Sequence, residues 1–189
     1  MKIAFIGYGN MSSALVSGIL SSGKLNSSQD ITIFHNKNKS AFSLEKCKFL
    51  ESGTECKDSF DIIFLCVKPK DIEVAINQNL NIFHDAQSIV SVAAGVNISS
   101  LKKLIKKNVS IIRAMPNLCA IYNESITGIS MSDEINEEKG KYIEDIFRSI
   151  GHVRKITEDE MHEFTALFGS GPAYLMYFYE ALMEYGNFN

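Results

Sequence analysis

The sequence predicts an α/β protein in which helices cover both faces of a doubly wound parallel sheet. Strand-like apolar runs alternate along the chain with segments whose apolar residues recur at helical spacing. Two of the runs, 61–67 and 88–93, are apolar almost throughout, as expected for strands buried on both faces of a parallel sheet. The apolar run at the start of the chain, 2–6, is followed by Gly7-Tyr8-Gly9 and then by a helical pattern. This is the order strand, tight turn, helix.

Each element has its own local signal. The predicted strands are 2–6, 31–34, 61–67, 88–93, 109–114, 126–131 and 152–156. The predicted helices are one that starts at Met11, one over 42–50 closed by Gly53, one over 71–80, one around Leu101–Ile105 capped by Ser99 or Ser100, and one over 135–147. A long helical region begins near Glu158, is interrupted at 169–172 because Pro172 cannot donate to the helix, and resumes over 173–185.

The turn after the first strand favours dinucleotide binding in a Rossmann-like fold. In that fold the first glycine, here Gly7, makes the turn, and the second, Gly9, lets the backbone approach a pyrophosphate. The N-terminus of the helix that follows offers unpaired N–H groups and a partial positive charge. Ser12 takes the place of the third small residue and still permits close packing. The alternative interpretation is an ordinary strand-to-helix turn.

The end of the second strand bears on the type of cofactor. A site that prefers NAD usually has Asp or Glu there to bind the ribose 2′-hydroxyl. This chain has His35-Asn36-Lys37-Asn38-Lys39 instead, with no acid and two lysines that would attract a 2′-phosphate. The segment therefore favours NADP, with NAD as the alternative if it is only a solvated polar turn.

Composition narrows the range of functions. The 189 residues carry a net charge of −3, which gives no reason to expect nucleic acid as a partner. The four cysteines form no C-x-x-C pair, which predicts a reducing compartment and neither disulfides nor a metal site. The first strand starts at residue 2 and no apolar run is long enough to span a membrane. We therefore expect a cytoplasmic protein.

Three short segments end strands at the predicted carboxyl edge of the sheet, where ligands of open α/β sheets bind. They are Val67-Lys68-Pro69, Ala93-Ala94-Gly95 and Met115-Pro116-Asn117. Together with Gly7-Tyr8-Gly9-Asn10-Met11, Arg113-Ala114 and Gly169-Ser170-Gly171-Pro172-Ala173-Tyr174, they follow the order and approximate spacing of one family. Over essentially its whole length the chain resembles the pyrroline-5-carboxylate reductases.

The resemblance implies the last step of proline biosynthesis, in which NAD(P)H delivers hydride to C5 of 1-pyrroline-5-carboxylate. It implies these cofactor-binding residues: Ile6, Gly7, Tyr8, Gly9, Asn10, Met11, Asn36, Cys66, Val67, Lys68, Pro69, Ala93, Ala94, Gly95 and Met115. Lys37 joins this set on its charge, which would attract a 2′-phosphate. It places Asn117 near the nicotinamide and substrate, and Glu158 near the ring nitrogen, where an anion would stabilise an iminium. A first-turn helix acid is the alternative role of Glu158.

The resemblance also implies two domains, a Rossmann-like one over 1–157 and the start of a helical dimerisation domain over 158–189. The helix at 172–185 is apolar almost all round, which predicts burial in a homodimer or higher homo-oligomer. The chain has Leu118-Cys119 where the family usually has Thr-Pro, and it lacks the family's Ser-Pro-Gly-Gly-Thr motif, so we expect a truncated C-terminal domain. The alternatives are a non-catalytic dinucleotide-binding module and a related oxidoreductase for another small substrate.

Overall fold

A computed structural model describes residues 1–21, 30–36, 47–83 and 85–186. Within these residues eight strands form one sheet in the order β3-β2-β1-β4-β5-β6-β7-β8. The strands are β1 (Lys2–Ile6), β2 (Asp30–His35), β3 (Cys47–Glu51), β4 (Ile62–Leu65), β5 (Ser88–Ser91), β6 (Ser110–Met115), β7 (Ser125–Met131) and β8 (Gly151–Lys155). This order, with β1 inside the sheet and the chain winding outward both ways, confirms the predicted doubly wound sheet.

Helices cover both faces of the sheet. They are α1 (Asn10–Ser21), α2 (Ile72–Gln78), α3 (Leu80–Phe83), α4 (Ile98–Ile105), α5 (Glu137–Arg148), α6 (Met161–Phe164) and α7 (Gly171–Gly186). Short 3-10 turns occupy Pro69–Asp71 and Leu118–Tyr122, and a π-helical turn at Thr165–Gly169 joins α6 to α7. None of the helices in the described ranges is long and apolar enough to cross a membrane.

The core is two apolar layers, one on each face of the sheet. Successive side chains of β1 point to opposite faces, so Ile3 and Phe5 enter one layer while Ala4 and Ile6 enter the other. The first layer lies under α1 and α5, and the second under α2, α3 and α4. Because β1 is buried on both faces, its carboxyl end is held rigidly where the phosphate turn begins.

The structure corrects the predicted helix over 42–50. Its last residues form the edge strand β3, parallel to β2. Cys47 and Phe49 pack against the core while Lys48 is exposed, which is the two-residue alternation of a strand. The remainder of that prediction, from 42 to 46, lies outside the described residues.

Three further predictions change. Strand β7 runs antiparallel to β6, because the short connection at 116–124 cannot make the long crossover that a parallel pair needs. Helix α4 is capped by Asn97, whose side chain accepts a hydrogen bond from the Ser100 amide, and not by Ser99 or Ser100. The helical region near Glu158 begins at Met161, so Glu158 precedes α6 and is not in its first turn.

Candidate active site

The turn between β1 and α1 requires glycine at its first position. Gly7 has a φ of +91°, a conformation that side chains disfavour. A Cβ atom there would lie 2.7 Å from the Cys66 carbonyl oxygen. The Gly7 amide donates a hydrogen bond of 2.9 Å to the carbonyl of Phe34, which ties the turn to the end of β2.

The second half of the turn leaves backbone open for a ligand. A Cβ atom on Gly9 would meet nothing within 4 Å. Ser12 closes the turn from below: its Oγ accepts the Gly9 amide at 2.9 Å and donates to the Gly9 carbonyl at 3.1 Å. The first amides of α1, those of Asn10, Met11 and Ser12, have no partner within the helix. An open backbone beside the N–H groups of a helix start fits the pyrophosphate of a dinucleotide.

Tyr8 and His35 form a contact that sequence reasoning missed. The Tyr8 amide donates to Nδ1 of His35 at 3.3 Å, and the buried Tyr8 ring lies edge-on to His35 and Phe49. The amide of Tyr8 therefore points to the end of β2. The signal in the sequence was the histidine at the end of the second strand, a residue type that accepts hydrogen bonds when neutral.

The remaining predicted cofactor residues follow the neighbouring strands. Cys66 follows β4, and its amide donates to the Ile6 carbonyl at 2.8 Å. Burial raises the pKa of its thiol, which disfavours the reactive thiolate. Pro69 opens a 3-10 turn after Lys68. Gly95 has a φ of +73° in the loop after β5. Val67 lies in the loop after β4, and Ala93 and Ala94 lie in the loop after β5.

The ribose end of the predicted site lies at the end of β2. Asn36 follows β2 and is exposed, on the same edge as the phosphate turn. Lys37 lies outside the described residues.

Asn117 holds two segments together. Its side-chain oxygen accepts the Cys119 amide at 3.1 Å, and its Nδ2 donates to the Phe168 carbonyl at 2.9 Å. Its own amide donates to Ser125 Oγ at 3.1 Å. The side chain thereby links the end of β6 to the π-helical turn, and single π turns of this kind are frequent at functional sites.

Met115 joins the end of β6 to α6 through apolar contacts. It is the last residue of β6 and packs in a small cluster with Met161 and Phe164. The end of β6 is thus held against α6 by packing, and against the π-helical turn by the Asn117 side-chain amide.

Glu158 contacts two elements, α4 and β6. Its Oε1 accepts the Ile98 amide at 2.7 Å, at the start of α4, and Nη1 of Arg113 at 3.1 Å. Arg113, on β6, was not predicted as a site residue. Ile98 and Arg113 flank the carboxyl ends of β5 and β6, so the carboxylate lies on the ligand edge of the sheet.

The structure thus places the described predicted residues on one edge, at the carboxyl ends of β1, β2, β4, β5 and β6. Glu158 reaches that edge from the far end of the chain. Among the residues described, no group of three or more His, Cys, Asp or Glu side chains is arranged to hold a metal ion.

Two family profiles match the chain. Residues 2–95 match "NADP oxidoreductase coenzyme F420-dependent", and residues 158–187 match "Pyrroline-5-carboxylate reductase dimerisation". Among solved structures, pyrroline carboxylate reductase from Plasmodium falciparum, with NADP bound, is 28% identical and superposes with a TM-score of 0.86. That match covers 98% of this chain and 69% of the other.

Curated sequences agree with the structural comparison. Pyrroline-5-carboxylate reductase of Staphylococcus epidermidis is 31% identical over 98% of this chain and 70% of its own length. Pyrroline-5-carboxylate reductase 1 of Bacillus spizizenii is 30% identical over 98% of this chain and 63% of its own length. The chain thus spans between 63% and 70% of the length of these relatives. On this sequence identity, coverage and shared fold, the chain belongs to the pyrroline-5-carboxylate reductase family.

Proposed function

We propose that this protein reduces 1-pyrroline-5-carboxylate to L-proline with NADPH, the last step of proline biosynthesis. The observation that carries the proposal is the meeting of a phosphate turn with the ends of β4, β5 and β6 on one edge of the sheet. When bound, the cofactor supplies a hydride from C4 of its nicotinamide to C5 of the substrate ring. The protonated C=N bond becomes a C–N single bond, and NADPH becomes NADP⁺.

The residues of the β1–α1 turn, Ile6 to Met11, are proposed to hold the pyrophosphate. Asn36 and Lys37 are assigned to the adenosine ribose and its 2′-phosphate. Cys66, Val67, Lys68, Pro69, Ala93, Ala94, Gly95 and Met115 are assigned to the wall of the cofactor cleft. A protonated cyclic imine is already electrophilic, so the protein mainly has to position it against the nicotinamide.

Asn117 and Glu158 are proposed to act on the substrate side. The oxygen and the nitrogen of the Asn117 side chain both bond protein groups. This favours a role in holding the end of β6 and the π-helical turn in place beside the substrate. Glu158 brings a carboxylate to the edge where the iminium would lie, and an anion there stabilises that cation. Among the described residues, both hydrogen bonds to this carboxylate reach Oε1, and we propose that Oε2 is the oxygen that faces the substrate.

We further propose the division into a cofactor domain over 1–157 and a dimerisation region over 158–189. The exposed apolar helix at 172–185 would pack against a second copy in a homodimer or larger homo-oligomer. The four free cysteines fit the reducing environment of the cytoplasm.

The direct test mixes the chain with NADPH and racemic pyrroline-5-carboxylate and follows the loss of NADPH absorbance, with proline measured in the product. We expect loss that requires both compounds and yields one proline per NADPH consumed. Binding of NADPH without proline formation would instead favour a non-catalytic dinucleotide-binding module. Turnover of a different small imine or keto acid would favour a related oxidoreductase.

The preference for NADPH can be tested separately at Lys37. Lys37→Glu places a negative charge beside the proposed 2′-phosphate position, so we expect the ratio of NADPH to NADH affinity to fall by about tenfold or more. Titration of both cofactors by fluorescence measures the ratio. Lys57→Glu, at a lysine outside this turn, is the matched control. An unchanged ratio in Lys37→Glu would contradict the role assigned to the turn.

A further inference from the structure

Arg113 is a buried cation in the sheet. It lies on β6, where every residue is buried, and its side chain is only 6% exposed. Its hydrogen-bonded partner in the described part of the chain is Glu158, at 3.1 Å from Nη1 to Oε1. A buried guanidinium is costly unless a charge compensates it, so Arg113 and Glu158 form one unit.

The same carboxylate oxygen serves a second positive group. Oε1 of Glu158 accepts the amide of Ile98, the first residue of the eight-residue helix α4, at 2.7 Å. That amide carries part of the positive end of the helix dipole. Two donors therefore converge on Oε1, one from β6 and one from α4, and they hold this oxygen in place.

This arrangement leaves the two oxygens of Glu158 unequal. Oε1 is engaged by protein donors, while the side chain as a whole remains 34% exposed. The direction of the partly exposed carboxylate therefore depends on where Oε1 is held. A carboxylate on a loop without these donors would sample several rotamers.

We propose that Arg113 is a positioning residue that aims Glu158 at the substrate cation. It acts through Glu158 and touches neither substrate nor cofactor. The part that concerns substrate rests on the function proposed above. The part that concerns the carboxylate rests only on the contacts of Arg113, Glu158 and Ile98.

The first test reads the position of the carboxylate without any turnover. The Ile98 amide proton reports the short bond to Oε1, and its resonance can be followed by ¹H–¹⁵N NMR. We expect the Ile98 resonance to shift in Glu158→Gln and also in Arg113→Met, although the Ile98 amide is bonded to Glu158 and not to Arg113. Arg154→Met, at an exposed arginine of β8, is the matched control and should leave it in place. An unmoved Ile98 resonance in Arg113→Met would overturn the proposal.

The second test reads the consequence for the reaction. We expect Arg113→Met to lower kcat/KM for pyrroline-5-carboxylate by roughly tenfold or more while NADPH affinity stays within about twofold. The double variant with Glu158→Gln should be no worse than the worse single variant, because both remove the same unit. If Arg113→Met fails to fold, Arg113→Lys keeps the cation and should give a partial loss in the same direction.

The outcomes separate the two proposals. A wild-type chain that makes no proline contradicts the proposed function, and the Ile98 resonance then decides whether Arg113 holds Glu158. An active wild type whose Arg113→Met variant has unchanged kinetics shows that the pair is only structural, which overturns the positioning role. Additive losses in the double variant would overturn it as well.

Discussion

Helices α1 and α7 have similar apolar compositions but opposite surroundings. In α1, over 12 residues, Leu15 and Val16 are completely buried against the sheet. In α7, over 16 residues, no residue is buried, and large side chains such as Tyr177 and Phe178 are exposed. Helix α1 returns onto the sheet from which it came, whereas α7 leads away after the π-helical turn and rests mainly on that turn.

The difference shows that burial of an apolar helix depends on the surface offered to it as well as on its own sequence. An apolar surface of this extent on one helix marks an interaction site. Residues 158–187, which include α7, match the dimerisation profile of the family. The comparison predicts that equal substitutions in the two helices will have unequal effects.

The largest contrast is expected between two leucine-to-alanine substitutions. Leu15 is 0% exposed and Leu175 is 61% exposed. Leu15→Ala should lower the free energy of unfolding by about 3 kcal/mol, from lost apolar burial and the cavity left behind. Leu175→Ala should lower it by less than about 0.5 kcal/mol in a dilute monomer. Urea unfolding of both variants at low protein concentration measures the two values.

Protein concentration then sharpens this contrast. If a second copy covers α7, Leu175→Ala should become destabilising as the concentration rises, while the effect of Leu15→Ala should change little. Equal effects of Leu175→Ala at every concentration, in a protein that sediments as a stable monomer, would contradict the proposed packing of α7.

A smaller contrast is expected for glycines in the same helices. A Cβ atom on Gly18 in α1 would overlap a methyl group of Ile150, which is itself fully buried. Gly18→Ala should therefore cost about 1–2 kcal/mol, since overpacking exceeds the gain in helix propensity. Gly186→Ala at the end of α7 meets no atom within 4 Å and should be neutral or slightly stabilising. Thermal unfolding ranks the two, and a stabilised Gly18→Ala would contradict the tight contact.

His35 contacts the turn that leads into α1, so its substitution tests that end of the helix. His35→Leu removes the acceptor of the Tyr8 amide and should raise the Kd for NADPH about three- to tenfold, the value of one hydrogen bond. His35→Asn keeps an acceptor near the position of Nδ1 and should retain most of the affinity. Equal affinities in the Leu and Asn variants would show that the contact does not shape the turn.

The elements that the sequence predicted well are those whose signal is local and strong. The buried strand β4 lies in an unbroken apolar run, Ile62–Leu65, and the Gly7 turn is written in consecutive residues. Strand β3 was missed because the spacing of Cys47 and Leu50 fits a helix, while its pairing with β2 is a tertiary fact. In short segments, periodicity does not distinguish the two structures.

The candidate site divides in the same way. The phosphate turn and the strand ends were visible as glycine and proline motifs. The pair of Arg113 and Glu158 joins residues 45 positions apart, and no local pattern announces it. The alternative role of Glu158 was that of an acid at the amino end of its own helix. The carboxylate does contact the amino end of a helix, but that helix is α4 and not α6.

The smallest effect is expected when low pH removes the charge of Asp58. This residue pairs with Lys2 at the amino end of β1, on the edge of the sheet opposite the phosphate turn. Asp58 accepts Nζ of Lys2 at 2.8 Å and Nζ of Lys48 at 3.1 Å, and these bonds lower its pKa from 3.8 to about 2. A carboxyl whose pKa is depressed on folding stabilises the fold above its unfolded pKa, and that stabilisation disappears as pH falls through the folded pKa.

Asp58→Asn should therefore be less stable than wild type at neutral pH, by less than about 1 kcal/mol because the pairs are solvent-accessible. The difference should vanish between about pH 4 and pH 2, as measured by urea unfolding across that range. Lys48→Gln should reproduce part of the loss at neutral pH, and a difference that persisted at about pH 2 would mean that Asp58 acts through packing and not through its charge.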